Sequence, residues 1–268
     1  MNIVLNTLIF DLDDTLLWDK KSIKESLLAT CNEAYALAGV DPELLFEAVK
    51  ERAPEEYKKQ SFYPLTVALG INPFEGLWGS FNDVHDARLR AMAADIGAYQ
   101  FDVWMQALRS VGNEDLSLAR KLSRTFIYYR ETLPYVFEET FDVLTQLNKA
   151  FQLVLLTNGA PSLQLKKLEM TPALVPFFNR IFISGSYGVG KPDLGFYQYV
   201  LGQLDLKPEH AAMIGDNLHT DIIGGNQAKL TTIWLNREGT KNETSITPDI
   251  EIVSLREMHE VVERISIS

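Results

Sequence analysis

Cysteine is almost absent. Cys31 stands alone, which excludes an internal disulfide framework and fits a reducing compartment; we expect the cytoplasm. With no second cysteine and no partner histidine, Cys31 reads as an inert residue on a helix face. Positive charge is also scarce: 25 Lys and Arg stand against 36 Asp and Glu, a formal net charge of −11. That balance argues against nucleic acid or an anionic membrane as a partner. No apolar run approaches the ~20 residues that a bilayer span requires. The first six residues, Met1 to Asn6, lack a basic region followed by a long apolar stretch, so no signal peptide is expected there. Internal repeats, low-complexity segments and charge runs are missing too. What remains is an ordinary globular composition, 46% hydrophobic and 23% charged. Its 268 residues suffice for one large domain or two modest ones.

Leu8, Ile9 and Phe10 form a short apolar run of the kind that makes a buried strand. A polar connection, Trp18 to Lys21, leads to Ser22 and Glu25, which read as a capping box opening a helix toward Gly39. Asp41-Pro42-Glu43 opens a second helix. From Ala53 to Phe81, Pro and Gly punctuate the chain, and short helical pieces with loops are expected. Helical spacing returns over 83–94, 101–111 and 114–131. After Pro134 the pattern changes. A helix over 137–148, a strand at Leu153 to Leu156, a helix over 161–169, a strand at 181–183 and a helix over 194–204 follow in turn. Strands at Met213-Ile214, at 232–235 and at 250–253 enclose a helix near 221–228, and a final helix begins at Leu255. Strands alternating with helices imply an α/β fold with a doubly wound, mostly parallel sheet. The first strand belongs to that sheet but is far from it in sequence. The economical division is a core of 1–17 plus 134–268, with an all-helical domain, 18–133, inserted after the first strand.

Four stretches carry chemistry. Asp11, Asp13, Asp14 and Thr15 follow the first strand directly, at the end where α/β sheets bind ligands. Buried acids there need a cation or hydrogen bonds to offset their desolvation. Thr157-Asn158-Gly159 follows the next strand, offering a hydroxyl, an amide and backbone N–H groups suited to phosphate oxygens. Gly188-Val189-Gly190-Lys191-Pro192-Asp193 presents a lysine on a stiffened loop, a point charge for an anionic intermediate. Gly215-Asp216-Asn217, with Asp221 beyond, places a carboxylate at another strand end. Acids from two strand ends can jointly hold Mg²⁺, which prefers oxygen ligands. Each stretch has a plainer explanation when taken alone: an acidic turn, a good turn, a solvated lysine, an N-capped helix. His219, a lone histidine on a loop, reads as exposed.

In this order, each at a strand end, the stretches resemble the four motifs of the haloacid dehalogenase superfamily: Asp-x-Asp-x-Thr, Thr-Asn, Lys-Pro and Gly-Asp-Asn-x3-Asp. The helical insertion is similar in position and character to the C1-type cap of the phosphatase branch, including the N-acylneuraminate-9-phosphatase-like and nucleotide-phosphatase-like members. The resemblance implies a Rossmann-like core and a Mg²⁺-dependent phosphatase of small phosphomonoesters, sugar phosphates or nucleoside monophosphates, working through an aspartyl-phosphate. It makes Asp11 the nucleophile, Asp13 the general acid and base, and Thr15 a support for Asp13. Thr157, Asn158 and Lys191 would hold the phosphoryl group, with Lys191 also offsetting charge on the nucleophile. Asp11, Asp13 (through its carbonyl) and Asp216 would ligate the metal, with Asp221 and Asn217 in its second shell. One departure is Leu194, where relatives usually carry a proline.

Asp13 favours phosphoryl transfer over dehalogenation, because an alkoxide leaving group needs a proton and a halide does not. A sugar-phosphate mutase uses the same core and stays open as an alternative. A phospho-acceptor signalling module shares the acids, the Thr and the Lys but is shorter and lacks both the insertion and the general acid. The expected partner is a small phosphorylated metabolite, for a monomer or homodimer. Trp18, Lys20, Trp78 and Trp104 are candidates for substrate choice, although the aromatics are better explained as core of the inserted domain.

Overall fold

A computed structural model describes residues 5–267, with side chains to 265. Residues 1–4, on which most of the N-terminal reading rests, lie outside that range. The chain folds as two compact units: one runs through Trp18, Val136–Asn158 and from Thr171 onward; the other comprises Asp19–Tyr135 and Gly159–Met170. Residues 159–170 thus group with the helices, although they follow an α/β strand in sequence. No helix among the described residues is long and apolar enough to cross a membrane.

In the α/β unit, six strands among the described residues form one parallel sheet: β1 (Thr7–Phe10), β2 (Gln152–Thr157), β3 (Arg180–Ile183), β4 (Ala211–Gly215), β5 (Thr231–Leu235) and β6 (Ile250–Ile252). Their order is β3-β2-β1-β4-β5-β6. β1 and β4 are buried along their whole length, as expected of apolar runs covered on both faces. Phe10 pairs with Leu155 of β2 and Ile214 of β4, so the ends of the three strands line up. Strand order reverses between β1 and β4, and this is where open α/β sheets leave a ligand crevice.

The helical unit contains α1 (Asp19–Ala38), α2 (Pro42–Lys58), α3 (Tyr63–Leu69), α4 (Pro73–Gly76), α5 (Ala87–Ser110) and α6 (Leu116–Thr132). The helix after β2, α8 (Pro161–Met170), also belongs here. The α/β unit carries α7 (Thr140–Leu147), α9 (Ser184–Tyr187), α10 (Leu194–Gln203), α11 (Ile223–Gln227) and α12 (Met258–Ile267).

Several boundaries differ from the sequence reading. The helix expected to open at Ser22 opens at Asp19. Ser22 is no cap: its Oγ donates to Leu133 O at 2.6 Å, and Arg130 donates to it. Two helices expected over 83–94 and 101–111 are one, α5, which passes through Gly97. An interior glycine costs about 1 kcal/mol against alanine, but Leu89, Met92, Ile96, Tyr99, Val103 and Ala107 keep one buried stripe across it. Likewise α2 continues past Pro54 because Leu45, Val49, Ala53 and Tyr57 share a buried face.

The core of the helical unit includes Tyr57, Tyr99, Trp104 and Phe126, together with Trp78 and Cys31. Burial pushes the Cys31 thiol up to about 12, consistent with an inert side chain. The unit also buries a cluster of charges. Arg130 pairs with Asp19 at 2.6 Å and Lys167 with Glu75 at 2.7 Å, all four side chains at most 8% exposed. Lys167 Nζ is 4.0 Å from Asp19, so one network ties α8 to α1, α4 and α6.

Candidate active site

The site is built at the carboxyl ends of β1, β2 and β4, inside the α/β unit. Asp11 is the first residue past β1, and its N–H donates to Ile214 O at 2.9 Å, which fixes it against β4. The chain then makes a tight turn. Leu16 and Leu17 N–H both donate to Leu12 O, and Asp14 N–H donates to Leu17 O at 2.7 Å. Asp14 takes a left-handed conformation, φ 60°, which Asp tolerates better than most residues. Asp13 lies half-buried in this turn, two residues beyond Asp11. Thr15 is fully buried, and its Oγ1 accepts the Asp216 N–H at 3.2 Å, joining the turn to the end of β4.

Lys191 is the centre of the charge arrangement. Its Nζ donates to Asp11 Oδ1 at 2.6 Å, Asp221 Oδ1 at 2.7 Å and Leu156 O at 2.8 Å, which uses its three donors. The loop that presents it is locked to Asn158. Lys191 N–H donates to Asn158 Oδ1 at 2.8 Å, and Asn158 Nδ2 donates to Lys191 O at 3.0 Å. Gly190 is required for this embrace, since a Cβ there would come within 2.6 Å of Asn158 Oδ1. Thr157, buried at the end of β2, completes the floor.

Asp221 sits on a wide π-type turn, Leu218–Ile222, rather than on the plain helix expected. That turn lets its second oxygen, Oδ2, accept the Asn217 N–H at 3.1 Å. Gly215 lies directly beneath: a Cβ there would come within 2.2 Å of Asp221 Oδ2. Carboxylate oxygens of Asp11, Asp216 and Asp221 fall within 4.8 Å of one another. Burial, and then the charge of Asp221, push the Asp11 carboxyl up to about 6 despite the opposing pull of Lys191. Burial alone would lower Lys191, but Asp11 and Asp221 outweigh it and hold the ammonium above its ordinary range. Negative charge thus exceeds what one lysine offsets. A hard, oxygen-only donor set of this kind suits Mg²⁺.

The model of the family described as haloacid dehalogenase-like hydrolase matches residues 5–229. The chain belongs to this family. The phosphoserine phosphatase of Thermus thermophilus is 33% identical over 254 residues, spanning 95% of this chain and 98% of that one. The HAD-hydrolase YfnB of Bacillus subtilis is 31% identical over 96% of this chain and 94% of its own length. A magnesium-bound crystal structure of YfnB, described as revealing interdomain movement, matches with TM-score 0.65 at 26% identity. That match covers 97% of this chain and 99% of that one.

In this haloacid dehalogenase-like hydrolase the geometry gathers Asp11, Thr15, Asn158, Lys191, Asp216, Asn217 and Asp221 into one connected set. His219 is exposed, as expected, and its N–H is capped by Asn217. Trp78 and Trp104 are buried in the helical core, whereas Trp18, 40% exposed, stacks on Phe137 in the α/β unit. Sequence reasoning gave Gly215 no role of its own and overlooked Arg237. The glycine was visible only as part of a motif, and the arginine follows the β5 strand with no local signal of a role.

Proposed function

We propose that this hydrolase is a Mg²⁺-dependent phosphatase of small phosphomonoesters, working in the cytoplasm as a monomer or homodimer. In this reading the α/β unit is the catalytic core and the helical unit its cap. The observation that carries it is the Lys191 ammonium bonded to both Asp11 and Asp221, with the Asp216 carboxylate alongside, where the strand order reverses. Asp11 attacks phosphorus in line and forms an aspartyl-phosphate as the P–O bond to the leaving group breaks. The departing alkoxide takes its proton from Asp13, which then accepts one from the water that releases phosphate and restores Asp11. Thr157 and the backbone N–H of Asn158 hold phosphoryl oxygens, the Asn158 side-chain amide being engaged at both ends by the Lys191 backbone, and Lys191 offsets charge on both anions. Thr15 keeps the turn carrying Asp13 against β4. Mg²⁺ held by Asp11, Asp216 and the Asp13 carbonyl would supply the dication that brings carboxylate and phosphate together. Both oxygens of Asp221 accept protein hydrogen bonds, which suits a role behind the metal, holding Lys191.

Phosphate release from p-nitrophenyl phosphate, with Mg²⁺ and with a chelator, tests the reading. We expect metal-dependent turnover in the native chain and none in Asp11→Asn. Phosphoserine, sugar phosphates and nucleoside monophosphates form the substrate panel. Turnover retained by Asp11→Asn would refute the mechanism. Movement of the phosphoryl group to a second hydroxyl, without release, would identify a mutase.

A further inference from the structure

We propose that Arg237 is a positioning residue of this site: with Glu139 it clamps the back of the turn that carries the catalytic acids. The inference rests on the phosphatase reading above. Arg237 stands two residues past β5, 222 residues from Thr15 in sequence. Its guanidinium makes three engagements, all within the α/β unit. Nη1 donates to Glu139 Oε1 at 2.6 Å, Nη2 donates to the Thr15 carbonyl at 2.9 Å, and the cation lies 3.5 Å from the Phe137 ring centroid.

Thr15 is fully buried, and a buried carbonyl inside a turn needs a donor. Arg237 supplies it. The Thr15 hydroxyl meanwhile accepts from Asp216 N–H, so one residue is pinned from the β5 side by its carbonyl and from the β4 side by its hydroxyl. The next carbonyl, Leu16 O, accepts from Phe137 N–H at 3.3 Å and from Thr140 Oγ1 at 3.2 Å. Glu139 and Phe137, which Arg237 grips, come from this same segment. The guanidinium therefore cross-links the catalytic turn, the 136–140 segment and the end of β5. Thr15 is two residues from Asp13 and four from Asp11, so slack at its carbonyl reaches both.

Only a planar fork fits the task, because a lysine cannot donate in two fixed directions while stacking on a ring. Both Nη groups are committed, and Nε is buried with no partner among the described residues. The side chain is thus turned to the protein and not to a phosphate. Phe137 also stacks on Trp18, with centroids 5.0 Å apart, close to where the chain leaves the unit after Trp18 and re-enters at Val136.

The test compares the native protein with Arg237→Met, Arg237→Lys and Glu139→Gln. It reads kcat and KM for p-nitrophenyl phosphate with Mg²⁺, thermal midpoint, and hydrogen exchange of the peptide spanning 12–17 in chelator-treated protein. In Arg237→Met we expect kcat to fall by at least about tenfold with KM nearly constant, the signature of misplaced reacting groups. The turn's amides, bonded to Leu12 O and Leu17 O, should exchange about tenfold faster while those of β2 do not change. Arg237→Lys should recover only part of kcat. Glu139→Gln, which keeps the Thr15 bond and weakens the other arm, should fall between. A kcat within about twofold of native together with unaltered exchange at the turn overturns the proposal. If Arg237→Met fails to fold, Glu139→Gln decides by the same two readouts. Absence of turnover in the native protein would defeat the phosphatase reading instead. The exchange measurement then decides the clamp alone: faster exchange at the turn upholds it, and unchanged exchange ends it.

Discussion

Replacing Asp11 by Asn should make the metal-free protein more stable at neutral pH, even as it abolishes the chemistry. Asp11 is 8% exposed and shares its surroundings with Asp221 and one lysine. Burial, reinforced by Asp221, raises its carboxyl from 3.8 to about 6. A carboxyl raised on folding binds its proton more tightly in the native state than in the unfolded chain. Its favourable contribution is complete below pH 3.8 and is lost as pH rises through about 6. At ~1.4 kcal/mol for each pH unit, ionised Asp11 is a burden of about 3 kcal/mol at pH 7 and about half that at pH 5. Asparagine is uncharged at every pH and can still accept from Lys191. Urea unfolding of chelator-treated native and Asp11→Asn protein between pH 4 and 8 measures the difference directly. We expect the variant to lead by about 3 kcal/mol at pH 7, with the lead closing toward pH 4. Added Mg²⁺ should stabilise the native protein far more than the variant, because binding to the folded state alone raises its stability. A variant equal to or weaker than native at pH 7, or a lead that does not shrink in acid, would refute the account of crowded charge.

Further substitutions probe the buried charges of the helical unit and the floor of the site. Lys167→Met removes the 2.7 Å partner of Glu75, whose other oxygen still accepts the Asn72 N–H, and should lower stability by about 3 kcal/mol, as read from the urea midpoint; Lys167→Met with Glu75→Gln, which keeps that cap, should recover part of the loss. Gly215→Ala places a Cβ within 2.2 Å of Asp221 Oδ2, and Asp221 is too tightly bound to Lys191 and Asn217 to retreat. It should lose about 1–3 kcal/mol and about a hundredfold in kcat; full activity would show that Asp221 does not set the position of Lys191.

Much of the site was legible in the sequence because its parts are local. Three of the four motifs are short apolar runs ending in polar residues, and a parallel sheet delivers such ends to one edge; the Lys191 loop, which follows α9, is the exception. Asp11, Thr157, Lys191 and Asp216 could be named as candidates from these stretches, and the resemblance to the haloacid dehalogenase motifs supplied their joint purpose, without knowing which strand neighbours which. The α/β class followed from the alternation of strand and helix patterns after Pro134, and the all-helical character of the insertion from its spacing. Boundaries were less legible. Ser22 has the local signature of a cap, yet Arg130 and the Leu133 carbonyl, more than 100 residues away, claim its hydroxyl. Gly97 and Pro54 look like breaks, yet buried stripes on α5 and α2 carry the helices through them.

By itself, then, the chain's order of residues determined the fold class and the four short motifs that carry the candidate acids and lysine, because these depend on patterns within a few residues. Tertiary structure alone decided the rest. It placed β1 between β2 and β4, gave Lys191 its two carboxylates, turned both oxygens of Asp221 inward, gathered α8 with the helices through the Lys167 network, and set Arg237 behind Thr15. Those outcomes join residues tens to hundreds of positions apart. A buried charge or carbonyl must be satisfied by whatever folding brings beside it, and no local pattern names that partner in advance.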